Sequence, residues 1–153
     1  MTAQNLPGRP HIAYRGDALY IENVRLADLS RTYGTPLFVY SKAAMLDALA
    51  AYQRGFAGRR AQICYAMKAN SSLAILQLFA RAGCGFDIVS GGELERVLAA
   101  GGEPGKIIFS GVGKTRAEMR QALETGIGCF NVESESELDV LDGVARSLGT
   151  RAP

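Results

Sequence analysis

With 153 residues, 48% of them hydrophobic and 21% charged, the chain is long and apolar enough for one domain with a real core. A formal net charge of +2 without a basic cluster provides no electrostatic footprint for nucleic acid or an anionic membrane. Cys64, Cys84 and Cys129 are far apart and lack a C-x-x-C, so they read as reduced thiols; a single histidine, His11, leaves no material for a histidine triad or metal cluster.

Met1 to Pro10 is polar, carries two prolines and has no apolar h-region, and no run is long enough to span a bilayer, so the expectation is a cytoplasmic protein. Ile12–Tyr14, a Gly16-Asp17 turn and Leu19–Ile21 read as a small hairpin. Leu26–Tyr33 reads as a short helix stopped by Gly34, with Pro36 two positions on. From there the texture alternates. Candidate strands are Leu37–Tyr40, Gln62–Ala66, Gly85–Val89, Lys106–Phe109 and Cys129–Val132, each followed by helical spacing such as Met45/Leu49/Tyr52/Phe56, Leu94/Val97/Leu98 or Leu138/Leu141/Ala145/Leu148. Ser90-Gly91-Gly92-Glu93, Thr115-Arg116-Ala117-Glu118 and Ser134-Glu135-Ser136-Glu137 are S/T-x-x-E capping boxes that place three helix starts. Strand starts roughly 21–25 residues apart suit successive right-handed βα units on a parallel sheet. Five such units do not close an eight-stranded barrel, which usually takes about 250 residues. The chain ends just past a helix, where a sixth strand would be due. The expectation is therefore a truncated product, poorly stable and inactive by itself.

Within this frame Ile63-Cys64-Tyr65-Ala66-Met67-Lys68-Ala69-Asn70 stands out. On a strand, Gln62, Cys64, Ala66 and Lys68 share one face and Ile63, Tyr65 and Met67 the other. The small residues below Lys68 leave space for its amine, which makes it a candidate for imine chemistry with a carbonyl; a solvated lysine at a strand terminus is the plainer alternative. In the next strand Gly85, Asp87 and Val89 oppose Phe86 and Ile88, so the apolar pair goes to the helices and Asp87 faces inward. A carboxylate there needs a cation, and Lys68 on the neighbouring strand is the expected partner. The Gly91-Gly92 pair could admit an anion to a helix N-terminus, though a tight βα turn explains it as well. Phe109-Ser110-Gly111-Val112-Gly113-Lys114-Thr115 evokes a phosphate-binding loop, but G-x-x-x-x-G-K-[ST] requires glycine at position 108, which is Ile108. A glycine-bearing βα loop followed by a Thr115 cap accounts for it.

Taken together, Y-A-M-K-A-N, D-I-V-S-G-G-E-L, I-I-F-S-G-V-G-K-T and C-F-N-V-E-S-E-S-E-L, in this order, resemble the fold-type III pyridoxal-phosphate (PLP) decarboxylases, relatives of ornithine decarboxylase and alanine racemase. Within them the similarity is greatest to the N-terminal part of the bacterial diaminopimelate decarboxylases. Alanine racemases usually continue K-A-N with A-Y-G-H, whereas Ser71-Ser72 follows here. The resemblance implies a partial (β/α)8 barrel, TIM-like and of the alanine-racemase type, with about five βα units over 37–153. Residues 1–36, the hairpin and short helix, would join a C-terminal β-domain. It also implies PLP as cofactor, held by Lys68, with Asp87 lining the cofactor site. The implied reaction is decarboxylation of meso-2,6-diaminopimelate to L-lysine and CO2, in lysine biosynthesis, by an enzyme that is a homodimer at full length. The family usually has an Asn-like residue at Val112, so no role is implied there. An ornithine- or arginine-type decarboxylase, an alanine racemase relative or a PLP-binding chain without turnover are the alternatives.

Overall fold

The computed structural model describes residues 8–153, so Met1–Pro7 of the opening polar segment lie outside the described residues. The chain divides into two compact units, one ending at Gly55 and one beginning at Phe56.

The first unit contains the expected hairpin, β1 (Ile12–Arg15) against β2 (Ala18–Ile21), with Ile12 opposite Ile21. A third short strand, β3 (Val24–Arg25), extends it antiparallel to β2. Glu22 makes the link between them with a positive φ of 51°. Its carboxylate is held in place by two donors on the far side of the unit: the Ser41 hydroxyl at 2.6 Å and the Ala43 amide at 2.9 Å. Those two contacts, the hydroxyl first, keep Glu22 below the ordinary glutamate value. Helix α1 (Leu26–Tyr33) stops at Gly34 (φ 81°), as its sequence requires. Helix α2 (Lys42–Gly55) is capped by Ser41, whose Oγ accepts from Ala44 at 3.0 Å. Residues 37–40, expected as the first parallel strand, form none. Their alternation defines two faces but their backbone has no ladder partner, and all four side chains are exposed, Phe38 by 86%.

The second unit is a four-stranded parallel sheet in the order β4 (Cys64–Ala66), β5 (Gly85–Ile88), β6 (Ile107–Phe109) and β7 (Cys129–Phe130). The strands alternate with α3 (Leu73–Arg81), α4 (Gly91–Ala99), α5 (Arg116–Thr125) and α6 (Glu135–Ser147). Four βα units are thus formed rather than five. The register aligns Ala66, Asp87, Ile108 and Cys129 in one row across the sheet. Side chains of the opposite parity pack under the helices. Phe86, Ile88, Ile107 and Phe109 are fully buried there with Leu76, Leu94 and Val97. Tyr65 stacks on Phe79 of α3 at 4.4 Å, and Phe109 on Phe130 at 6.0 Å.

The three expected helix starts hold. Ser90, Thr115 and Ser134 each accept from the amide three residues on. Only Thr115 completes the reciprocal box, through Glu118. Glu93 and Glu137 reach one residue further back, to the amides of Val89 (2.7 Å) and Glu133 (3.0 Å). Glu118 also accepts from Gly91 N at 2.9 Å, so the anion at the Gly91-Gly92 turn is a carboxylate of the next helix. That contact, followed by the Thr115 amide, lowers the Glu118 pKa from its ordinary value.

Where β7 begins, a Cβ on Gly128 would run into the backbone carbonyl of Gly105, which cannot swing aside. Gly128→Ala is expected to cost about 1–3 kcal/mol. Gly113→Ala, in open space, should stay within about 0.5 kcal/mol. Urea unfolding of the two variants checks the contrast.

Candidate active site

The C-terminal ends of the parallel strands form the rim where α/β proteins place their chemistry. Lys68 lies there, but not on the strand itself. β4 ends at Ala66, and Met67–Ala69 make a single 3-10 turn. The turn is pinned by Met67, which is fully buried, while Lys68 is exposed. On its far side Tyr65 Oη donates to the Asn70 carbonyl (3.1 Å) and Asn70 Oδ1 receives the Ser72 amide (2.9 Å), which leads the chain into α3. Among the described residues no hydrogen bond or ion pair engages the Lys68 amine.

Asp87 is the register partner of Ala66, two residues before Lys68, on the adjacent strand. It is half-buried between fully buried Phe86 and Ile88, the parity expected of it. The expected ion pair with Lys68 is not formed. Asp87 Oδ1 instead accepts the Ser110 hydroxyl at 2.5 Å. Ser110 Oγ receives Asn131 Nδ2 at 3.0 Å. The strand alternation that singled out Asp87 also contains these two residues: Ser110 is Ile108 plus two and Asn131 is Cys129 plus two, the same face one row higher. Sequence reasoning passed over both, because a serine and an asparagine at strand ends carry no signature until the register is known.

Lys114, from the glycine-rich loop, is committed elsewhere. Its side chain is 0% exposed, and Nζ donates to Gly111 O (2.7 Å), Asn131 O (2.7 Å) and Glu137 Oε1 (2.6 Å). Nζ also lies 5.8 Å from the Phe109 ring centroid. All three ammonium protons are used, so this lysine has none to offer a phosphate, and the G-V-G-K-T stretch is a fastening of the β6–α5 loop. Burial alone would raise the Glu137 pKa, but Lys114 and the Glu133 amide outweigh it and hold it below the ordinary value. Val112, at the loop tip, is exposed.

Glu118 and Glu137 therefore share one pH signature. Both have folded pKa values below the unfolded glutamate value of about 4.3. Their stabilisation is complete above that value and is lost as pH falls through the folded values. The urea midpoint is expected to fall below about pH 4.3, and Glu118→Gln should flatten part of that fall.

Two of the three thiols are held as weak nucleophiles by burial. All three are free. Burial pushes Cys84 up to about 11 and also raises Cys64, which suppresses the thiolate. No group of three or more candidate metal ligands occurs among the described residues, and no helix among them is long and apolar enough to cross a membrane. An unengaged primary amine on a fixed turn, small neighbours Ala66 and Ala69, and a carboxylate on the next strand fit an aldehyde cofactor. They do not fit a metal.

Comparison with known proteins agrees with this chemistry. The family model described as pyridoxal-dependent decarboxylase, pyridoxal binding domain, matches residues 42–150. The chain is 54% identical over 141 residues to the diaminopimelate decarboxylase of Pseudomonas aeruginosa, covering 92% of this chain and 34% of that protein. It is 58% identical over 135 residues to that of Vibrio cholerae, covering 88% and 32%. The crystal structure of diaminopimelate decarboxylase from m. jannaschii, in co-complex with L-lysine, superposes with a TM-score of 0.90 at 34% identity, over 95% of this chain and 35% of that one. The chain spans about a third of the length of the curated relatives it matches. By the extent of the family match, over most of its length, the chain belongs to the pyridoxal-dependent decarboxylases and carries their pyridoxal-binding domain.

Proposed function

We propose that this chain provides the cofactor-holding part of an enzyme that decarboxylates meso-2,6-diaminopimelate to L-lysine and CO2. The observation that carries the reading is identity of 54–58% to diaminopimelate decarboxylases across nearly the whole chain, and the L-lysine bound by a structural relative is the product the reaction requires. Lys68 is the residue that would hold pyridoxal 5′-phosphate, through Nζ, with Asp87 lining the same rim. When bound, the cofactor supplies an electron sink for the carbanion left by the departing carboxylate. Lys68 would then give way to the substrate amine, and its exposed, unengaged Nζ leaves it free to do so.

The four βα units are, in this reading, part of an eight-stranded barrel. Residues 1–36 belong with a β-domain and 37–153 with the barrel, and the full-length enzyme is a cytoplasmic homodimer. The test is CO2 release by the full-length protein, supplied with pyridoxal phosphate, from meso-diaminopimelate, ornithine and arginine in parallel. Turnover of diaminopimelate alone is expected. Preference for ornithine or arginine would overturn the substrate assignment.

A further inference from the structure

We propose that Ser110 and Asn131 are positioning residues that orient Asp87 for the cofactor, an inference that rests on Lys68 and Asp87 forming the cofactor rim. A serine hydroxyl has one proton, and an amide nitrogen only donates. With Asn131 Nδ2 giving its hydrogen to Ser110 Oγ (3.0 Å), the Ser110 proton is committed to Asp87 Oδ1 (2.5 Å). The row therefore has one direction, from β7 through β6 to β5. Its starting point is anchored through the backbone: the Asn131 main-chain N–H donates to Phe109 O at 2.9 Å, and the Asn131 main-chain carbonyl is held by the buried Lys114 ammonium at 2.7 Å. Its end point is a carboxylate with one oxygen used and Oδ2 without a described protein partner. Asp87 is thus held through one oxygen, with the other left for a cationic group, whether of Lys68 or of the cofactor.

Two alternatives assign Ser110 less. It could merely end β6, but its amide does that, donating to Ile88 O at 2.8 Å whatever the side chain. It could be an ordinary solvated serine, but its hydroxyl is bonded on both sides at half-buried depth. Because the backbone bond survives truncation, Ser110→Ala should fold.

The experiment titrates the full-length protein, freed of cofactor, with pyridoxal 5′-phosphate by absorbance, then reduces with borohydride and maps the label. Ser110→Ala and Asn131→Ala are each expected to weaken binding about tenfold, the order of a charge-assisted hydrogen bond. Ser110→Thr should remain within about twofold of the parent, and the unfolding midpoint of the cofactor-free variants should be unchanged. Combined with Asp87→Asn, Ser110→Ala should add nothing, since both act through one carboxylate. Unchanged affinity in Ser110→Ala, effects that add to those of Asp87→Asn, or a threonine that fails to restore binding would each overturn the relay while Lys68 remains labelled. A label found away from Lys68 would remove the relay together with the rim assignment beneath it.

Discussion

Lys68→Ala is expected to abolish covalent capture of pyridoxal phosphate and to lower decarboxylation by the full-length protein about a thousandfold or more. Borohydride reduction followed by peptide mapping should place the pyridoxyl group on the Lys68 peptide of the parent and nowhere on the variant. The size follows from two losses at one atom. Without Nζ the cofactor has no covalent attachment, and the amine that would exchange with the substrate's is gone. Lys68→Arg distinguishes charge from chemistry: the guanidinium stays protonated and is no nucleophile, so it should be nearly as inactive as alanine. Alanine should leave stability almost untouched, because the side chain is exposed and engages no described partner. A variant that kept its label and its turnover would sink the assignment of Lys68.

Lys114→Met is expected to have the opposite profile, a large loss of stability. Removing the ammonium leaves Glu137, 11% exposed at its side chain, and the carbonyls of Gly111 and Asn131 without their donor. Breaking one partner of a buried pair costs about 3–5 kcal/mol. The double variant Lys114→Met/Glu137→Leu should recover part of this, since no buried charge then remains. It should not recover all of it, because the two carbonyls stay unsatisfied. Chemical denaturation of the single and double variants measures both. A loss near 1 kcal/mol or less in Lys114→Met would mean that water replaces the ammonium.

These two lysines also show what the sequence could and could not disclose. The place of Lys68 just past a strand end was legible because its signal is local: a short apolar run, small residues at one parity and a lysine after it. The same holds for the helix starts at Ser90, Thr115 and Ser134 and for the stop at Gly34, each a motif of four residues or fewer. The parity of Asp87 followed from Phe86 and Ile88 beside it. Lys114 was legible only as a near miss to a phosphate loop, because its partners Asn131 and Glu137 are 17 and 23 residues away. Ser110 and Asp87, 23 residues apart, were hidden for the same reason. Alternation at Leu37–Tyr40 pointed to a strand because a pattern specifies faces, whereas a ladder also needs a neighbour in register. The candidate strand Gln62–Ala66 ends where β4 does, but the 3-10 turn of Met67–Ala69 was not legible, since burial of Met67 is a matter of tertiary packing.

The carboxylates of the second unit follow one habit whose consequence concerns the order in which the chain settles. Glu118, from α5, holds the amide at the start of α4; Glu137, from α6, holds the lysine of the loop before α5; Glu133, ahead of α6, accepts from Gly111 in that same loop. The β5–α4 and β6–α5 loops are thus each latched by residues made later. As synthesis proceeds from the N-terminus, a strand and its helix can form while the loop between them stays loose, and the latch closes only when the following helix arrives. In those two units the strand-end loop therefore depends for its fastening on the helix that follows, whereas the hydrophobic side is packed by the unit's own strand and helix.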